Sequence, residues 1–435
     1  MTLHRGQTYV DKMLETTSPF CPTASLTLPR VEPVPLRHNR DFVLLQVGQL
    51  LSNAGTQASS IAYPLLVLAV THSAADAGIV AFVRSLALVL WLLPAGLVAD
   101  RWPRKRLMIL SDGVRLAALA TLGAALLGQG AAFWAITFVA FVEGSGAALF
   151  ASAQAGALRA VVPIVQLPDA TATQTGRQAA VLLAGPPIGG ALFGLGRALP
   201  FLGDAASYLF STGSLLAMRT PFQEDRQPDP APMRRRVTEG FRFLWGQPFL
   251  RTTALLFGLG NFTGPGVLLA LVVIGRRQGL STGAVGGLVA VFGASVLVGS
   301  VISPLVRRAL PPRAVLLLEL WTATACVAFL VWPSVYVLAA SIVPTALVIP
   351  SSDAVVHGYR IAMTPDRLLG RSESARSLLS LGISPFGPLV AGLLLEVSAR
   401  AAIGVFAAAA AALAFWGTAS RALGAVPLMN PPDSG

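Results

Sequence analysis

Five acids stand inside long apolar runs of this 435-residue chain: Asp112, Glu143, Asp204, Glu319 and Asp353. In such a setting a carboxylate can take up and release a proton, or it can compensate a cation. Ionised and alone at the middle of a bilayer, it costs roughly 3 kcal/mol or more. Glu143 lies about eleven residues into its run, which at about 1.5 Å per residue puts it near the midplane of a hydrocarbon layer about 30 Å thick. It is the first candidate for proton coupling, and the competing reading is an ion pair with Arg84 or Arg177. Gly144 and Gly146 leave room beside it for a close helix or a ligand. The other four acids stand nearer the ends of their runs.

Three arginines share these runs. Arg84 is about seven residues from the start of its run, shallow enough to snorkel outward. Arg115 follows Asp112 by three residues and can pair with it along a helix. Arg177 shares a helical face with Gln174 and Gln178, where it can bind an anionic group or pair with an acid. Gln46, Gln49, Asn53, Thr56, Gln57 and Ser60 recur at three- and four-residue steps, so they form one polar stripe on a helix. Lipid does not tolerate such a stripe, so it faces water or protein. A substrate cavity is the first reading, with Gln49, Asn53 and Gln57 as cavity residues, and polar contact between helices is the second.

Other chemistries find no support. A phosphate-binding loop needs Lys followed by Ser or Thr, whereas Lys12 precedes Met13, Lys105 precedes Arg106, and the chain has no other lysine. An ion gradient is then the expected energy source. His4, His38, His72 and His357 are scattered and form no metal-ligand spacing, Cys21 and Cys326 stand in unlike surroundings, and no nucleophile–base pattern is present. No cofactor, no metal and no enzyme activity are expected.

The elements that carry these residues are membrane helices. The chain is 54% hydrophobic and 12% charged, about half the charged share of a soluble domain. Apolar segments of spanning length fall near 42–69, 77–100, 106–128, 132–156, 170–194 and 198–218, then near 251–274, 283–306, 313–332, 334–357, 373–396 and 401–421. The fold class expected is all-α integral membrane, with twelve transmembrane helices in two six-helix bundles. The parts are a cytoplasmic tail over 1–40, a bundle over 41–218, a central cytoplasmic loop over 219–250, a bundle over 251–422 and a tail over 423–435. With both termini inside, 25 of the 32 basic residues fall on the cytoplasmic side and 4 outside, which fixes the orientation by the positive-inside rule. The net charge of +12 thus reflects topology and implies no nucleic acid. Residues 233–251 pattern as an amphipathic helix on the inner surface.

The halves echo each other: Pro168–Asp169 answers Pro365–Asp366, and Gly185-Pro186-x-x-Gly189-Gly190 answers Gly387-Pro388-x-x-x-Gly392. Between the second and third segments stands Gly96-x-x-x-Asp100-Arg101-x-x-Arg104-Lys105. This resembles the loop signature of the major facilitator superfamily, with Pro103 where the family usually has Gly. The GPPIGG of the fifth segment resembles the antiporter motif of its drug exporters, with Val181 where a further Gly is usual. Asp204-Ala-Ala-Ser207-Tyr208 and the central loop resemble the branch of enterobactin exporters and macrolide efflux proteins, over about residues 40–420.

The resemblance implies two bundles rocking about a central site lined by helices one, four, seven and ten. It offers Asn53, Gln57, Glu143 and Asn261 as lining residues, and Gly96, Asp100, Arg101, Arg104 and Lys105 as a gating latch. The expected function is proton-driven export of a hydrophobic or amphipathic small molecule by a monomer in the cell membrane. Its partners are the substrate, protons and lipid. Proton-coupled import of a polar nutrient and a transport-inactive receptor are the alternatives.

Overall fold

A computed structural model describes residues 35–424 apart from 129, 221, 223–232 and 366–367. The described residues from Leu36 onward belong to one compact unit. The tails expected over 1–40 and 423–435 lie almost wholly outside the described residues. So do most of the central loop before Met233, and Asp366 of the Pro-Asp echo.

Twelve membrane helices run in order. The first half comprises Arg40–Thr71, Ala74–Trp91 continued by Pro94–Arg101, Arg104–Leu127, Phe133–Val161, Leu167–Leu195 and Leu199–Ala217. The second half comprises Pro248–Arg277, Thr282–Ala309, Pro312–Val331, Val335–Met363, Leu369–Gly382 continued by Phe386–Val397, and Ala399–Ala419. Among the described residues, eleven of these are long and apolar enough to cross a membrane. The sixth, Leu199–Ala217, is the exception, because it spends its length on Asp204, Ser207, Tyr208 and Ser211, all buried. The second helix breaks at Leu92–Leu93 because Pro94 has no N–H and cannot follow an intact turn. Polar caps start several helices: Asn39 accepts from the Phe42 amide at 3.1 Å, and Ser73 from that of Asp76 at 3.0 Å.

Alternation puts the N-terminal end of helix one and the central loop on one face, here the basic face. The opposite face is the far face. The apolar core differs between the two. Toward the far face one cluster runs through both halves, joining Leu66 and Tyr208 of the first to Leu271 and Phe406 of the second. Toward the basic face it divides. Phe42, Met108 and Phe150 form one cluster, and Leu244, Leu316 and Tyr359 form another, each within its own half.

The central helix, Met233–Gly246, turns one face to the protein. It packs on the eleventh span. Glu239 pairs with Arg371 and with Arg235, the latter at 2.8 Å. Leu244 is buried, while Arg242 and Trp245 are exposed. The Arg235 hydrogen bond, reinforced by the Arg371 guanidinium, holds the Glu239 carboxyl below the usual carboxylate range. A fixed partner for its acid and a cleft for Leu244 explain why this face turns to protein.

Candidate functional site

Five titratable residues of the first half, Arg84, Asp112, Arg115, Glu143 and Asp204, converge on one network. Arg84 descends from the second helix and donates to both oxygens of Glu143, the Nη2–Oε1 bond measuring 3.0 Å. Arg84 therefore turns inward instead of snorkelling. Its helix begins at Ala74, ten residues earlier, so it lies deeper than the sequence suggested. Arg115 of the third helix donates to the same Oε1 at 3.3 Å and to Thr56 Oγ1 at 3.1 Å. It also stands 3.7 Å from Asp112, the pairing its spacing predicts. Its guanidinium lies 4.0 Å over the ring of Tyr208, whose hydroxyl meets Thr56 at 2.8 Å.

Small residues make this convergence possible. A Cβ on Gly144 would strike the main-chain oxygen of Arg84, so Gly144 lets the second and fourth helices close until Arg84 reaches Glu143. A Cβ on Gly146 would stand 2.6 Å from Arg115 Cγ, so Gly146 houses the arginine's stem. Asp204 completes the group from the sixth helix. It is fully buried and accepts from Ser59 at 2.6 Å and from Ser207 at 3.2 Å. Three acids thus face two arginines. Glu143 is compensated twice, whereas the described contacts of Asp204 are hydroxyls.

The polar stripe of helix one is spent largely on neighbouring helices. Gln49 is buried and accepts from Gln154 of the fourth helix at 3.0 Å. Gln57 packs on Gly185, and Asn53 is half-buried. Arg177 reaches the main-chain oxygen of Gln46 at 3.5 Å, and no described acid pairs with it. Sequence reasoning missed Ser52, Gly55 and Ser59, which run along the same helix at three- and four-residue steps. That continuation was the available signal for a contact with Asp204.

The residues expected to gate lie at the basic face. Gly96 has open space where a Cβ would be, and Arg101 is exposed. Lys105 donates to the Met218 carbonyl at 2.7 Å and Arg104 to that of Phe222 at 3.5 Å. Arg104 also covers Gly156. These partners all belong to the first half or its outgoing chain. The side chain of Asp100 lies outside the described residues.

The fifth-helix motif has two faces. Gly185 and Gly189 pack on Gln57 and Ala58 of helix one, while Gly190 meets Thr282 and Gly286 of helix eight. The second half repeats this, with Gly387 against Phe262 of helix seven and Gly392 against Ala74 and Gly78 of helix two. The inter-half seams 5–8 and 2–11 are therefore glycine contacts near the far face. Glu396 adds a cap there, accepting from Ser73 Oγ at 3.1 Å and the Ala75 amide at 3.0 Å. Along helix five, seven of the ten residues from 171 to 180 are exposed, against two of the next ten. The halves are closed at the far face and parted at the basic face.

A cavity of about 420 Å³ opens within the second half. Helices seven and ten line it, as expected, but eight, nine, eleven and twelve do so too, and helices one and four do not. Asn261 is on its wall and donates to the Ser380 carbonyl at 3.1 Å. Of the residues offered as cavity lining, Asn261 is the one this cavity contains.

Two six-helix halves that meet in small-residue seams, with a basic turn between the second and third helices, define the architecture of a membrane transporter. Residues 45–355 match the family model of the Major Facilitator Superfamily, and the chain belongs to that superfamily. Among curated relatives, it is 27% identical to the multidrug efflux pump Tap of Mycolicibacterium fortuitum over 380 residues, covering 82% of this chain and 90% of Tap. Among solved structures, a bacterial homologue of the iron transporter ferroportin superposes in its inward-facing state at a TM-score of 0.69. It is 17% identical, and 88% of this chain and 98% of that one are covered. The outward-facing state superposes at 0.59, again at 17% identity, covering 86% and 98%. The protein is thus a multi-pass membrane transporter of a family that carries small molecules.

Proposed function

We propose that this transporter exports a hydrophobic or amphipathic small molecule in exchange for protons, by alternating access. The observation that carries the mechanism is the core that is continuous across both halves at the far face and divided at the basic face. Such a core can hinge about a buried centre. The basic face is the cytoplasmic one by its arginine content, so the described state is open inward. The likeness to a multidrug efflux pump over most of both chains supports export over uptake.

Coupling rests on the network of Glu143, Asp112 and Asp204. With three acids and two arginines, one acid lacks a cation, and a proton removes the cost of burying that charge. Glu143 connects both arginines, and Asp204 is the least compensated member. Asp100, Arg101, Arg104 and Lys105 latch the halves at the cytoplasmic side when the far side opens. In the inward-open state the described latch residues hold only their own half.

Proton movement in proteoliposomes under an inward proton gradient tests this. A panel of hydrophobic cations, macrolides and siderophore-like compounds is added to wild type, Asp204→Asn and Glu143→Gln. Compound-dependent proton movement that Asp204→Asn abolishes while the protein stays folded is the expected result. No movement with any compound in wild type overturns export and favours nutrient uptake or a receptor.

A further inference from the structure

The cavity in the second half joins an apolar wall to a buried acid oxygen with no partner cation among the described residues. Phe257, Phe292 and Phe406 come from three different helices, seven, eight and twelve, and all line it. Glu319 of helix nine enters the same space, and its Oε2 is buried without a hydrogen-bond partner. Among the described residues, Glu319 takes part in no ion pair.

The neighbouring charges do not answer it. Arg376 also lines the cavity, but its Nη2 donates to Glu373 at 2.6 Å and its Nε at 3.2 Å. Glu373 pairs with Arg360 as well. Asp353 is the other acid on the wall. Counting Glu319, Asp353 and Glu373 against Arg360 and Arg376 leaves one acid over. An anionic ligand would meet two acids and an occupied arginine. A neutral one could at most donate a hydrogen bond to the Glu319 oxygen and would leave its charge uncompensated. A cation with apolar substituents meets both demands, since aromatic faces attract positive charge as well as apolar surface.

We propose that this intra-half cavity is a binding site for a lipophilic monocation, with Glu319 as its counter-ion. The volume lies within the range of about 300–1,000 Å³ typical of sites for drug-sized ligands. The site assigns a substrate class to the export proposed above and rests on that reading for its role, though binding itself is independent of transport direction. It also moves recognition away from the seam between the halves. The ligand then travels with the second half as the halves rock, while the acid–arginine network stays in the first.

The test is equilibrium binding of radiolabelled tetraphenylphosphonium to the full-length protein in lipid nanodiscs. Tetraphenylborate, of matching shape and opposite charge, serves as competitor. Wild type is expected to bind the cation saturably, with no competition from the anion. Glu319→Gln should weaken binding by at least about tenfold, and Glu319→Asp should weaken it less. A second variant avoids the acid altogether. Gly264 lines the cavity and has open space where a Cβ would stand, so Gly264→Leu fills the cavity without a backbone clash and should abolish binding at unchanged thermal stability.

Wild-type affinity in both Glu319→Gln and Gly264→Leu, or equal competition by tetraphenylborate, overturns the site. The two proposals fail separately. Glu319-dependent binding with no compound-driven proton movement keeps the site and overturns export. Compound-driven proton movement with no cation binding does the reverse.

Discussion

Replacing Gly78 by Ala should push the transporter out of its described state. A Cβ at this position would stand 2.6 Å from the Pro388 carbonyl oxygen and 3.0 Å from Gly392 Cα, both across the seam in the other half. Ordinary contact begins at 3.4 Å, so the seam must open by about 0.8 Å, the difference between 3.4 and 2.6 Å. The obstructing atoms are backbone, and no side-chain rotation relieves them. Overpacking of this kind costs about 1–3 kcal/mol. If helices two and eleven part at the far face in alternating access, as proposed, the cost falls on the described state alone. The population ratio then moves by about 5-fold to about 140-fold toward the outward-open state.

Gly189→Ala provides the contrast. Its Cβ would stand 2.7 Å from Ala58 Cα and 2.8 Å from Ala58 C, but both helices belong to the first half. The strain is then present in both states, lowering thermal stability without biasing access. The assay is the spin-label distance between Thr173→Cys and Leu305→Cys, two exposed positions on helices five and eight toward the basic face, in a Cys21→Ser, Cys326→Ser background. Gly78→Ala should shift the distribution to shorter distances, and Gly189→Ala should leave it in place. An unshifted Gly78→Ala, or an equal shift in both variants, refutes the reasoning.

Two further outcomes follow from the charges. Glu143→Gln leaves the buried Arg115 and the half-buried Arg84 with less compensation, at a cost of up to about 3–5 kcal/mol. Its thermal midpoint in detergent should fall well below that of wild type, while Arg84→Gln/Glu143→Gln recovers part of the loss; a double variant worse than the single would disprove the pairing. At the central helix, the Glu239 carboxyl lies below its ordinary value, so its tie to Arg371 is complete at neutral pH and is lost as pH falls through that lowered value. A spin label at Arg242→Cys should gain mobility only below the usual carboxylate range, and at every pH in Glu239→Gln; mobility that ignores pH in the parent would overturn the tie.

Much of this protein is local in origin and so could be read from the chain. Burial in lipid forces each span to satisfy its own backbone, which makes twelve apolar runs twelve helices. The arginine asymmetry follows from the loops themselves, and the Asp112–Arg115 pair from one helical turn. The repeat of Gly185–Gly190 in Gly387–Gly392 pointed to two related halves, and the last glycine of each, Gly190 and Gly392, lies in a seam between them. Tertiary structure decided what depends on rotation and partner. A helix has the same sequence whichever way it is turned, so only the packed structure could bring Gln154 to Gln49 and Gly185 to the stem of Gln57. Glu143 could be lone or paired until two helices closed over Gly144 to bring Arg84 to it. The cavity around Glu319 draws on six helices more than 150 residues apart at their limits, Leu256 to Leu413, and no spacing along one helix encodes such a convergence.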